Sequence, residues 1–217
     1  LVVSAVSGSE SAVAEYAFKQ GNGRMQLEYV IPEDGKTAAL PICGYDVDCT
    51  VDWGDGSDEV MVKGRVSSYS RLEHQYAKAG TYIVSISGTV DEFNSDDSDI
   101  TDYFKAVRSW GAVKINSLEE AFKGTSLTQI ALPEEPGLFA DVESVSGAFE
   151  NMASLTAAPE GFFDTAVNVT DASRLFYNCK ALVDVPENLF TNMPALEDVS
   201  NMFYNCQAPT AVPEGLF

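Results

Sequence analysis

The sequence predicts a two-domain chain: an antiparallel β-sandwich over residues 1–100, then a right-handed α/β solenoid over residues 101–217. Three observations predict it. Phenylalanine recurs every 27 residues at Phe122, Phe149, Phe176 and Phe203. The N-terminal half alternates short β-branched and aromatic runs with Gly-, Asn- and Pro-rich turns. The length, 217 residues, suffices for one large domain or two modest ones.

The repeat decides the architecture, because each unit buries little alone and gains its stability from its neighbours. Pro159, Pro186 and Pro213 keep the 27-residue period, as do Glu160, Glu187 and Glu214, and Phe163, Phe190 and Phe217. The first copy carries three extra residues before its second Phe, at 139, and loses three before Phe149. Apolar residues three or four apart before each first Phe predict a short helical turn. Asn178 and Asn205 are expected to end that turn, since Asn tolerates the left-handed conformation. A short extended run follows, as in Leu182-Val183-Asp184-Val185, and Pro186 terminates it. About four coils result. The stack reads as incomplete at Phe217, where no polar capping repeat appears, and the first residue, Leu1, reads as the start of a trimmed or processed chain.

In the N-terminal half, Gln20–Gly23 reads as a hairpin turn between Tyr16–Phe18 and Met25–Ile31. Further strands are predicted at 38–43, 49–53, 60–66 and 82–87. Cys43 and Cys49 fit either a disulfide closing a hairpin loop or two small buried residues on adjacent strands. Cys179 and Cys206 occupy equivalent places on successive coils, as a ladder of small inward residues or a disulfide.

Charge narrows the function. Thirteen Lys and Arg stand against 33 Asp and Glu, a formal net charge of −20. Such a polyanion is repelled by phosphate backbones and anionic membrane surfaces, which argues against nucleic acid as a partner. No run approaches the ~20 apolar residues that span a bilayer as a helix. There is no C-x-x-C and a single histidine, His74, which argues against zinc. No nucleotide-binding, nucleophile-elbow or metalloprotease motif occurs, and an enzyme is not expected. Asp52, Asp55 and Asp58 are the calcium candidates, since oxygen ligands two or three residues apart can converge on a cation. The competing expectation is a tight turn in which Asp55 accepts from nearby backbone amides. The acid-rich run 91–102 is expected to be a solvated loop between the domains. No cofactor is implied.

Two segments carry a resemblance: Val51-Asp52-Trp53-Gly54-Asp55-Gly56-Ser57, and His74-Gln75-Tyr76 followed by Gly80-Thr81-Tyr82. Together they resemble the PKD-like, Ig-like β-sandwich over roughly residues 25–90. With Leu127-Thr128-Gln129-Ile130-Ala131-Leu132-Pro133 and the Phe-Asn-Cys coils, the chain resembles BspA-like leucine-rich-repeat surface proteins of the Bacteroides group. The 27-residue period departs from the shorter unit common in that family. The resemblance implies export to the cell surface, at the outer membrane of a Gram-negative bacterium, with a lipid anchor on the precursor as one route. It implies adhesion to, or binding of, a host or matrix protein or an extended glycan.

The expected binding face is the outward row of the extended runs: Thr128, Gln129, Thr156, Val183, Asp184 and Thr210. The alternative is glycan binding through the sandwich, with Trp53, Tyr45, Tyr69 or Tyr82 as stacking platforms. That alternative needs an exposed ring.

Overall fold

A computed structural model describes residues 23–96, 102–207 and 216. Residues 20–22 of the hairpin turn expected at Gln20–Gly23, and 208–215 and 217 at the end of the last repeat, lie outside the described residues.

Nine strands form among the described residues: β1 (Met25–Ile31), β2 (Thr37–Ala39), β3 (Ile42–Asp52), β4 (Val60–Val66), β5 (Glu73–Gln75), β6 (Gly80–Phe93), β7 (Phe104–Ser109), β8 (Lys114–Ser117) and β9 (Gln129–Ile130). Strand β1 shows why. Met25, Leu27, Tyr29 and Ile31 all bury, alternating with more exposed neighbours, which is the two-residue period of a strand with one face on a core. It pairs antiparallel with β6 from Met25 opposite Ile86 to Ile31 opposite Gly80. The main sheet runs β4-β3-β6-β1-β7-β9, with β8 joined to β6. Pairs β6–β8 and β7–β9 are parallel, so the sheet is mixed. A separate ribbon pairs β2 with β5. The sheet is continuous across residue 100, because β7 and β8 add to strands drawn from the first hundred residues.

This corrects the predicted fold class. The molecule is one sheet-dominated body, neither an antiparallel sandwich nor an α/β repeat solenoid. No α-helix forms among the described residues, and the turn before each repeated Phe never becomes one. The reason lies in where the amides go. Leu118, Glu120, Phe122 and Gly124 donate their N–H groups to Ser144, Ser146, Ala148 and Glu150, in the next 27-residue unit. Only the residues between them bond locally, Ala121 to Leu118 and Lys123 to Glu120. An α-helix needs every amide for its own i−4 carbonyl. Left-handed residues four apart enforce the alternation. Glu120 (φ 53°) and Gly124 (φ 67°), then Gly147 (59°) and Asn151 (60°), then Arg174 (57°) and Asn178 (61°), then Asn201 (55°) and Asn205 (59°) each break the right-handed path.

The 27-residue units therefore lie on one another by backbone bonds and by side-chain ladders. Phe122, Phe149, Phe176 and Phe203 stack ring on ring, with centroids 5.2, 5.4 and 5.7 Å apart. Parallel bridges link Ser144 to Asp171 and Asp171 to Asp198. Trp110 joins this stack to the sheet. Its ring packs on Phe93, Phe122, Phe139 and Phe162, and its Nε1–H donates to the Ala131 carbonyl at 2.8 Å. The buried apolar residues consequently form one core from Met25 to Leu216.

Several smaller expectations change. Cys43 and Cys49 sit on the same strand, β3, not on adjacent ones, and both are free thiols. Cys179 and Cys206 are free, and each thiol donates to a carbonyl one unit back, Phe149 at 2.9 Å and Phe176 at 3.0 Å. The acid-rich run is not a solvated loop where it is described. Asp91, Glu92 and Phe93 end β6, Phe93 is fully buried, and Ser95 binds the Glu120 carbonyl. Residues 97–101 lie outside the described residues.

Candidate functional site

The outward row begins where β9 lies beside β7. Thr128 donates its amide to the Lys105 carbonyl at 2.9 Å, and its hydroxyl donates to the same oxygen at 3.1 Å. Gln129 stands opposite Ala106 and takes a hydrogen bond from Arg108. Two units on, Val183 and Asp184 donate their amides to the Thr156 carbonyl, and Ala158 donates to that of Asp184. A parallel bridge aligns Ala157 with Asp184. Thr128, Gln129, Thr156, Val183 and Asp184 are all exposed, and Val183 keeps 57% of its surface, high for an aliphatic side chain. Thr210 lies outside the described residues.

The row is not the uninterrupted face expected. Among the described residues no backbone bond joins β9 to the Thr156–Ala158 run. Instead a recess of about 170 Å³ opens between them, lined by Leu127, Ile130, Met152, Leu155 and Pro159 among others. This break falls in the first copy, the one with three extra residues before Phe139. A second recess, about 360 Å³, is lined by Glu160, Asp184, Pro186, Glu187 and Asn188. Sequence reasoning named Asp184 but missed Glu160 and Glu187 as site residues. The signal was present, since a carboxylate repeated at 160 and 187 has no place in a core and must recur on one outer edge.

The calcium candidates are committed to a turn. The Gly54 amide donates to Asp52 Oδ1 at 2.9 Å. Asp55 Oδ1 accepts from the Ser57 amide at 3.0 Å and hydroxyl at 2.6 Å, while its Oδ2 meets His74 Nε2 at 2.7 Å. Burial alone would raise the Asp55 pKa, but the Ser57 and His74 hydrogen bonds outweigh it and hold the carboxyl at about 2. Asp58 is exposed and points to no shared centre. Among the described residues no three His, Cys, Asp or Glu side chains gather as metal ligands.

The stacking platforms divide. Trp53 is 3% exposed, lies flat on the His74 ring at 4.8 Å, and its carbonyl accepts from the Tyr76 hydroxyl. Tyr82 stacks on Tyr76 at 4.3 Å and is tied to the Lys78 carbonyl. Both are structural. Tyr45 and Tyr69 are 73% and 98% exposed, and the Arg65 guanidinium sits over the Tyr45 ring at 4.8 Å.

Comparison with protein-family models, with curated proteins and with solved structures found no match. The site therefore stands on its own geometry.

Proposed function

We propose that this chain is an exported, surface-displayed binding or adhesion protein, and that it grips a protein or extended polymer through the row at Thr128, Gln129, Thr156, Val183 and Asp184. The observation that carries the reading is the exposed pair Val183 and Asp184, held by three backbone hydrogen bonds to Thr156 and Ala158. A site on paired backbone presents its side chains with little entropy to lose on binding. The resemblance to BspA-like surface proteins supports the same class and the same location. An array of matrix proteins and glycans, probed with the chain and with Val183→Ala/Asp184→Ala, tests it. Any hit is expected to weaken in the double variant. Unchanged binding moves the site elsewhere.

A second reading is favoured by one specific observation, the exposure of Tyr45 and Tyr69. Glycan binding there predicts loss of an array hit on Tyr45→Ala/Tyr69→Ala, with the Val183/Asp184 variant unaffected.

A further inference from the structure

Resting on that reading of the outward row, we infer that its partner is a polypeptide segment in extended form, aliphatic where it meets the recess beside β9 and cationic where it passes Asp184. The first recess is mostly apolar, lined by Leu127, Ile130, Met152 and Leu155 with Thr128 and Gln129 among them. No aromatic ring lines it or its neighbour, so neither offers a sugar a face to stack on. Aliphatic side chains of a peptide fill such a groove and drive water from it.

The second recess sets the charge. Glu160, Asp184 and Glu187 line it, and none has an ion-pair partner among the described residues, although ten other acids do. These three do not converge tightly enough to hold one metal ion. Separated carboxylates on a protein of net charge −20 complement a row of separate positive charges instead. Lys or Arg at intervals along an extended chain supplies that row. The acids lie next to the aliphatic recess because Pro159 and Glu160 are adjacent, and because Asp184 is bridged to Ala157. One segment spans both.

The experiment is fluorescence anisotropy of a short labelled peptide alternating lysine and valine, titrated with the chain at low and at high salt. A glutamate–valine peptide serves as control. The lysine peptide is expected to bind and to weaken steeply with salt, and the control not to bind. Glu160→Gln/Asp184→Asn/Glu187→Gln should weaken the lysine peptide about ten-fold. Removing three charges elsewhere, by Glu33→Gln/Asp46→Asn/Glu73→Gln, should leave it within about two-fold. Leu155→Ser should weaken binding at high salt, where the apolar contact dominates. Equal loss in the two triple variants overturns the inference, since it reports net charge alone. No binding by the lysine peptide also overturns it. If an array hit then still depends on Val183 and Asp184, the outward-row reading survives with a different partner, and a glycan hit would name it.

Discussion

The side-chain amide of Asn178 donates to Asn151 Oδ1 at 2.6 Å, and Asn205 donates to Asn178 Oδ1 at the same distance, one 27-residue unit apart each time. Asparagine thus does two jobs at this position. Its backbone takes the left-handed turn that ends the unit, and its side chain ties that turn to the next. Position 124 is Gly, so the ladder starts at the second unit.

Asn178→Gly keeps the left-handed φ but removes both ladder bonds, and should cost about 1 kcal/mol. Asn178→Val removes them and also forces a β-branched residue to φ 61°. It should cost a further ~1–3 kcal/mol. Urea denaturation of the two variants separates the terms. Equal losses would show that the side-chain ladder, not the turn, sets the requirement.

Phe149 lies between Phe122 and Phe176 and is fully buried. Phe149→Ala should destabilise by about 3–5 kcal/mol through lost transfer energy and the cavity left in the stack. Phe149→Leu should cost distinctly less. Because the core is continuous from sheet to repeats, far-ultraviolet and tryptophan signals should report one shared transition. Two separate midpoints would show that the repeats unfold apart from the sheet.

Acid stability should depend on Asp55. Its folded pKa, about 2, lies below the ordinary 3.8, so the carboxylate contributes stability above about pH 4 that is lost as pH falls toward 2. Asp55→Asn should lower the melting temperature at neutral pH and flatten its fall between pH 4 and 2. An unchanged acid limb in the variant would place the titrating group elsewhere.

Burial pushes the thiols of Cys43 and Cys179 up to about 12, with the negative charge of Glu92 adding to the effect at Cys43, and Cys49 up to about 11. At mildly alkaline pH these three should resist a thiol-specific reagent in the native state. After denaturation without reductant, all four cysteines should react. A count of two would mean that one pair had become oxidised.

Strands were the most legible part of the fold. Met25–Ile31 and Val60–Val66 form where β-branched residues and the turns around them place strands. Alternation announces a strand because a sheet with one covered face needs only local information. The short ribbon strand Glu73–Gln75 carries no such pattern and is held by pairing with Thr37–Ala39. The candidate site was half legible. The outward row at Gln129, Thr156 and Val183 follows from the 27-residue register, which lays equivalent positions side by side, whereas the recess beside β9 arises because that strand pairs with β7, and no local pattern encodes a partner more than 20 residues away.

The sequence alone determined the 27-residue register, which positions face inward, the left-handed stop at Asn178 and Asn205, and the acidic character of the surface. Each follows from spacing or from the conformational preference of a single residue. Tertiary structure decided that the turns before Phe122, Phe149 and Phe176 do not become helices, that sheet and repeats share one core around Trp110, and that the outward row opens at the first unit. A backbone amide has two competing carbonyls within reach, one four residues back and one in the neighbouring unit. Which it takes depends on whether the neighbour is already stacked there.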